Sequence, residues 1–435
     1  MTDAARPSAV RVRIVGLLLA YSALCHINRM SISVAGTEQI IPLYKIEPTT
    51  MGWVYSAYLI VYTILMTPGG LFIDRFGAKR ALLIQGFGSA LFVLGTALCG
   101  WTVPAAFLVA ALMVVRGLLG AVNAPLHPAC AHAASRWVPA SALGRANGLI
   151  TCAALLGIAS TYYVVGSLMD WIGWPGTFAA GAAVTTLVAV AWARFAADDP
   201  RDHPGVNEEE RRQIRGSEGG AKSAGAAPEA GGIGGFSLAC LTASYAALGY
   251  FQYLFFYWME YYFDTVLKLG KGPSRGYSTI CVVAMAAGMV AGGWLTDRAV
   301  ARFGARRGRA AVAIGGMAGS AALLLVGILA VKTAWIVAAF SISMAYMGAT
   351  EAAFWTTAVE LGGRRGGTAA AIMNTGGNFG GLLAPIVTPY FSKYFGWQNG
   401  LAVACVFAAL GAVLWGWVRP PTSSSPPAQV RSETR

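Results

Sequence analysis

Two arrays of polar side chains interrupt apolar stretches of the sequence at helical spacing. Ser22, His26, Arg29, Ser33 and Gly36 recur at intervals of four, three, four and three, and Arg116, Gly120, Asn123 and His127 at four, three and four. Residues so spaced share one face of an α-helix. An arginine in hydrocarbon costs on the order of 3 kcal/mol or more, so each face is expected to meet a wet cavity and an anion. Two guanidinium groups on two such faces make a clamp for a carboxylate, because each planar fork offers paired N–H donors. Arg29, Arg116, Asn123 and His127 are therefore candidate substrate contacts. Snorkelling or a structural ion pair is the plainer use of either arginine.

Acids within apolar runs form the second group. Glu351 and Glu260 are candidates to carry a coupling proton, since desolvation disfavours an ionised carboxylate; Glu360 lies nearer a helix end. Glu351 shares a face with Trp355 at spacing four, and Tyr250, Tyr253, Tyr257 and Glu260 share another. Structural pairing is the alternative for Glu351. His26 is a further titratable candidate. Asn374, Asn378 and Gly381 recur at four and three ahead of Pro385. The two amides can donate and accept, as a hydroxyl-rich substrate requires. Gly376, Gly377, Gly380 and Gly381 are read as close helix packing. Tyr55, Tyr58 and Tyr62 share one more face.

These side chains need membrane helices to position them. The 435 residues are 56% hydrophobic and 12% charged. Apolar runs of about 20 residues, enough to cross a bilayer, lie near 12–35, 50–72, 81–100, 103–127, 145–168, 175–195, 237–262, 276–296, 309–330, 334–357, 367–389 and 398–418. The fold class is an all-α polytopic membrane protein of twelve spans. The first run is too long for a signal peptide and has no small-residue cleavage site. Most of the 32 Lys and Arg fall in the tails and the even-numbered connections, which places both termini in the cytoplasm. That asymmetry, rather than nucleic-acid binding, accounts for the net charge of +13.

The seven cysteines are scattered and read as small buried hydrophobes, with no metal site. His127 and His132 are five apart, about 140° around a helix, which is wrong for shared ligation. No nucleophile–base constellation supports an enzyme, and no cofactor is implied.

Residues 198–235 are polar and then Gly/Ala-rich, so they read as a cytoplasmic linker with a short helix around EEERRQI. They divide an N-terminal six-helix half, 1–197, from a C-terminal half, 236–419; residues 420–435 read as a disordered tail. An internal repeat supports the division: GLFIDRFGAKR at 70–80 and GWLTDRAVARFGARR at 293–307 each place Asp-Arg four and five residues after Gly, ahead of a basic cluster. Two halves in parallel repeat imply a substrate site between them near mid-membrane.

The motif of Gly70, Asp74, Arg75, Gly77, Lys79 and Arg80 resembles the signature loop of the major facilitator superfamily. The resemblance implies a gating latch at Asp74, Arg75 and Arg80, with Asp297 and Arg298 as counterparts in the second half. SAYLIVYTILMTPGGLFIDRFG, RGLLGAVNAPLHP, RWVPASALGRANG, DDPRDHPGVNEEER and NTGGNFGGLLAP together resemble the anion:cation symporters, over nearly the whole chain. That family carries sugar acids, hexuronates and other organic anions. By this resemblance Tyr62 lines the cavity, and Asn374 and Asn378 match an N-x-x-G-N pattern. In proton-coupled members an Asp precedes the first-span arginine and a Glu follows the fourth-span arginine by seven residues. Here Asn28 and Asn123 stand there, and amides cannot titrate. The expectation is secondary transport of a small organic anion by a monomer in a bacterial inner membrane, with coupling through Glu351 or Glu260. An uncoupled or sodium-linked facilitator and a transporter-like sensor stay open as alternatives.

Overall fold

The computed structural model describes residues 7–215 and 235–419. Those residues form twelve spans. In the first half these are α1 (Val10–Ala35, continued through a π-turn to Tyr44), α2 (48–76), α3 (78–102), α4 (Ala105–Asn123, bent at Pro125 into Leu126–Trp137), α5 (Ala140–Ser160, continued to 172) and α6 (174–195). In the second they are α7 (Gly235–Tyr261, continued to Val266), α8 (Lys271–Phe303), α9 (Ala305–Leu329), α10 (Thr333–Ala349 and Glu351–Gly362), α11 (Gly366–Phe395) and α12 (Trp397–Leu414).

Four hairpins turn on glycines of nearly one conformation. Gly77 (φ 84°, ψ 164°) turns α2 into α3, and Gly304 (φ 80°, ψ 163°) turns α8 into α9. Gly173 (φ 68°, ψ 169°) joins α5 to α6, and Gly396 (φ 83°, ψ 157°) joins α11 to α12. A side chain would be strained at each. The matched positions express the internal repeat in backbone geometry: Phe76-Gly77-Ala78 answers Phe303-Gly304-Ala305, and Gly173-Trp174 answers Gly396-Trp397.

Length and hydropathy mark eight stretches, two of them hairpins folded at Gly77 and Gly173, so ten spans. The remaining two are α7, rich in tyrosine, and α11, rich in glycine and asparagine. They pack on each other: Gly249 sits against Gly377, and Gly380 against the Ala246 carbonyl, closer than any β-carbon would allow. The glycine cluster of α11 thus serves packing.

Contacts between the halves gather on the face opposite the termini. Tyr55 of α2 stacks on Tyr257 at 5.0 Å and meets the edge of Trp258 at 5.3 Å, both on α7. Within the second half, Trp258 is held in place by its indole N–H, which donates to the Pro385 carbonyl at 3.3 Å. Ser56 donates to the Leu382 carbonyl at 2.7 Å, Tyr162 to that of Phe256 at 2.9 Å, and Thr279 to that of Ala159 at 3.1 Å. Toward the terminal face the described halves make no ion pair with each other. The molecule is closed on one side and open on the other.

The expected linker helix is present as Glu208–Arg215. Buried Glu210 accepts from the backbone N–H groups of Val10 and Arg11 at 3.1 and 2.9 Å and from the Ser8 hydroxyl, so it caps the first turn of α1. The rest of the linker, 216–234, and the C-terminal tail from 420 lie outside the described residues. Five cysteines are buried as expected, but Cys405 is half-buried and Cys152 is exposed; α5 turns Cys152 outward.

Candidate functional site

Arg29 sits at the contact between the halves. Its guanidinium donates to the Tyr253 hydroxyl across the interface. Its carbon lies 4.7 Å from the Tyr253 ring centre, 5.0 Å from that of Tyr58 and 5.9 Å from that of Tyr62. Such a cage lowers the cost of a desolvated cation without neutralising it. Nε has no partner, and among the described residues no carboxylate comes within ion-pairing distance.

Arg116 behaves differently. It is 0% exposed, and its two terminal nitrogens donate to the backbone carbonyls of Asn28 and Arg29, at 3.0 and 2.5 Å. The expected two-arginine clamp is therefore one open guanidinium and one that holds the α1 backbone behind it. A helix face says which way a side chain leaves, not where its fork ends.

Asn123 is also set back from the cavity. Fully buried, its carbonyl oxygen accepts from Gln85 at 2.6 Å and Ser89 at 2.7 Å, both on α3. Asn28 donates to the Thr185 hydroxyl of α6 at 2.8 Å. Both amides thus belong to a polar layer inside the first half. His26 and His127 face each other with ring centres 5.3 Å apart, and His26 bonds the Ser22 carbonyl at 2.8 Å through Nδ1. His127 is exposed on the open side.

The second half contributes Glu351. Its carboxylate accepts from the Tyr245 hydroxyl at 3.0 Å, the Gln252 amide at 2.8 Å and the Trp355 indole at 3.1 Å. All three partners are neutral donors, which satisfies an acceptor-only carboxylate without a cation. Asn378 donates to its own helix at the Asn374 carbonyl, 3.0 Å away, and touches the Met66 sulfur of α2. Asn374 is half-buried. Tyr250 leaves its expected face: its hydroxyl pairs with that of Thr388 at 2.9 Å in the core of the second half.

Glu260 lies away from this cavity, on the closed side. The residues expected to form a latch lie on the rim near the termini: Asp74, Arg75, Arg80, Asp297 and Arg298 are exposed and, among the described residues, unpaired across the halves. Arg298 instead covers the Trp294 ring at 3.6 Å. Asp198, which the sequence reading did not single out, accepts the Lys79 N–H at 2.7 Å and fixes the loop at Gly77. Nearby Asp199 is bonded by Arg201, which holds its carboxyl down at about 2.

Sequence reasoning also missed Tyr245 and Gln252, whose only signal is their placement seven residues apart on α7. It missed Glu38, Asp170 and Arg275, each at a helix end where a charged residue looks like loop. The nitrogens of Arg275 reach Glu38 at 2.6 and 2.5 Å and Asp170 at 2.7 and 2.9 Å, tying α8 to α1 and α5. Glu360, left open as an acid near a helix end, pairs with Arg309.

The geometry agrees with the chain's relatives. The description Major Facilitator Superfamily matches residues 18–385, with a second match over 362–434. The "Ascorbate transporter, chloroplastic" of Arabidopsis thaliana is 25% identical, covering 93% of this chain and 74% of its own length. The "Probable sulfoacetate transporter SauU" of Cupriavidus necator is 26% identical, covering 98% and 97%. The "Probable galactarate/D-glucarate transporter GudP" of Bacillus subtilis is 25% identical, covering 95% and 92%. Among solved structures, a bacterial homolog to the human lysosomal transporter Spinster, inward-facing and occupied, superposes with a TM-score of 0.75 at 14% identity over 94% of this chain and 97% of its own. The xylose transporter XylE of E. coli, inward open, gives 0.71 at 16% over 95% and 98%. These are transporters rather than enzymes, and distant homologues include members of the anion:cation symporter family. With twelve spans in two repeated halves, the chain belongs to the major facilitator superfamily.

Proposed function

We propose that this secondary transporter carries a small organic anion, a sugar acid, hexuronate or related carboxylate, by alternating access, with its termini in the cytoplasm of a bacterial inner membrane. The observation that carries the reading is Arg29, a buried guanidinium in a tyrosine cage with no acid beside it. A cation so placed gains most when an anion arrives. Tyr58, Tyr62 and Tyr253 shape the pocket, Trp355, Asn374 and Asn378 face it from the second half, and Arg116 positions the α1 backbone. In this conformation the cavity opens toward the termini, the state that takes or releases substrate inside.

Coupling is assigned to Glu351. Its three donors suit the ionised carboxylate in this inward-open state, whereas the outward state would present it for protonation. The test is a thermal-shift screen of purified protein against mono- and dicarboxylates, sugar acids and the matching neutral sugars. A ligand at a hundred times its Kd stabilises by about 2.7 kcal/mol. Sugar acids should raise Tm while neutral sugars do not, and Arg29→Ala should abolish the response. Equal responses to acid and neutral sugar would end the anion reading.

A further inference from the structure

Glu260 is a buried acid with no cation paired to it among the described residues. It is 1% exposed, and neither carboxyl oxygen has a hydrogen-bond donor. It stands on α7 behind the Arg275 bridge, on the closed face. The π-turn that carries Glu38, itself buried, packs against α7, and Asp264 and Arg275 stand at the same outer end of α7 and α8. Lys271 reaches Glu38 only at 3.9 Å, and Asp170 shares Arg275. Tyr55 of α2 and Tyr162 of α5 pack on the same side, their hydroxyls turned to the Ser33 and Phe256 carbonyls rather than to a carboxyl group.

The local backbone is unusual at the same place. All three π-turns among the described residues surround this cluster: Gly36–Ile40 carries Glu38, Thr161–Val165 carries Tyr162, and Tyr262–Val266 follows Glu260. π-turns re-aim side chains and gather at functional sites. Here they flank two buried carboxyl groups, Glu38 and Glu260, while one guanidinium, with both edges already engaged by Glu38 and Asp170, has no fork left for the second.

We propose that Glu260 is a proton-binding site whose occupancy decides whether the outer gate closes. Closing the gate buries Glu260 against Glu38, and the closed arrangement accommodates one ionised carboxylate on Arg275 and one carboxylic acid. The proton comes from the outer water while the gate is open and returns there when the gate reopens. No proton crosses the membrane by this route, so the site sets a response to outside pH separate from coupling at Glu351. The inference rests on the alternating-access reading.

The experiment needs no substrate. Spin labels at Leu43→Cys and Lys332→Cys, exposed on the outer face of the two halves, in a Cys152→Ser background, report the closed and open gate as short and long distances between pH 5 and 8. Closure takes up a proton, so the closed-to-open ratio should fall as pH rises, by up to tenfold per pH unit on the titrating stretch. Glu260→Gln should hold the ratio high and flat, and Glu260→Asp should restore the slope. Glu38→Gln, which leaves Arg275 free to take an ionised Glu260, should also flatten it. A wild-type ratio that ignores pH, or a slope that survives Glu260→Gln, overturns the proton site. One invariant distance in every variant at every pH would overturn alternating access itself.

Discussion

The two halves carry opposite chemistry at their buried charged sites. The first offers a cation without an acid: Arg29 in its tyrosine cage, with Arg116 behind it and amides at Asn28 and Asn123. The second offers an acid without a cation: Glu351, held by a phenol, an amide and an indole. Arg29 and Glu351 do not pair with each other. On the proposed reading this separation divides anion recognition and proton handling between the halves, so each should be damaged without the other.

The largest effect should come from Arg29. Losing the one open guanidinium removes charge-assisted bonds worth about 3 kcal/mol, so Arg29→Ala should lower uptake of the best-stabilising anion about a hundredfold, with normal delivery to the membrane. Uptake near wild type would break the comparison on its cationic side.

Arg116→Lys comes next. Lysine keeps the charge but cannot bridge two carbonyls with a fixed fork, and an unmet buried carbonyl costs about 1–3 kcal/mol. Uptake should fall about tenfold together with a lower Tm in the absence of ligand. A loss of affinity with Tm unchanged would return Arg116 to direct substrate contact.

Glu351→Gln should abolish accumulation driven by an imposed pH gradient in proteoliposomes at matched membrane potential, while exchange of substrate down its own gradient survives within a few-fold. If the variant still accumulates substrate, the acidic side of the comparison fails. If wild type only equilibrates substrate whatever the gradient, the protein is a facilitator.

The smallest change is expected at the rim. Asp74 is exposed and, among the described residues, unpaired across the halves; with the latch role proposed for it, Asp74→Asn should leave anion affinity unchanged and slow turnover a few-fold. Affinity lost with turnover intact would contradict it.

Much of this architecture is legible in the sequence, because apolar runs of membrane length and the Gly-Asp-Arg repeat report local physics. The same local rules put Arg29 and Arg116 on polar faces correctly. They could not tell that the Arg116 fork ends on backbone carbonyls, since that depends on how closely α1 and α4 approach. The outer gate was illegible for a related reason: Arg275 lies 237 residues from Glu38 and 105 from Asp170, and no periodicity links charges at the ends of separate helices. The π-turns that aim them leave no residue signature either.

The stack that closes the outer side also has an optical consequence. Trp258 is wholly buried, wedged between Tyr55 of the other half and Trp397. When the halves part on that side, Tyr55 withdraws and water reaches the indole, so its emission should move to longer wavelength. With the other tryptophans replaced by phenylalanine, the fluorescence of this one ring would follow each opening of the gate in real time, without any attached label.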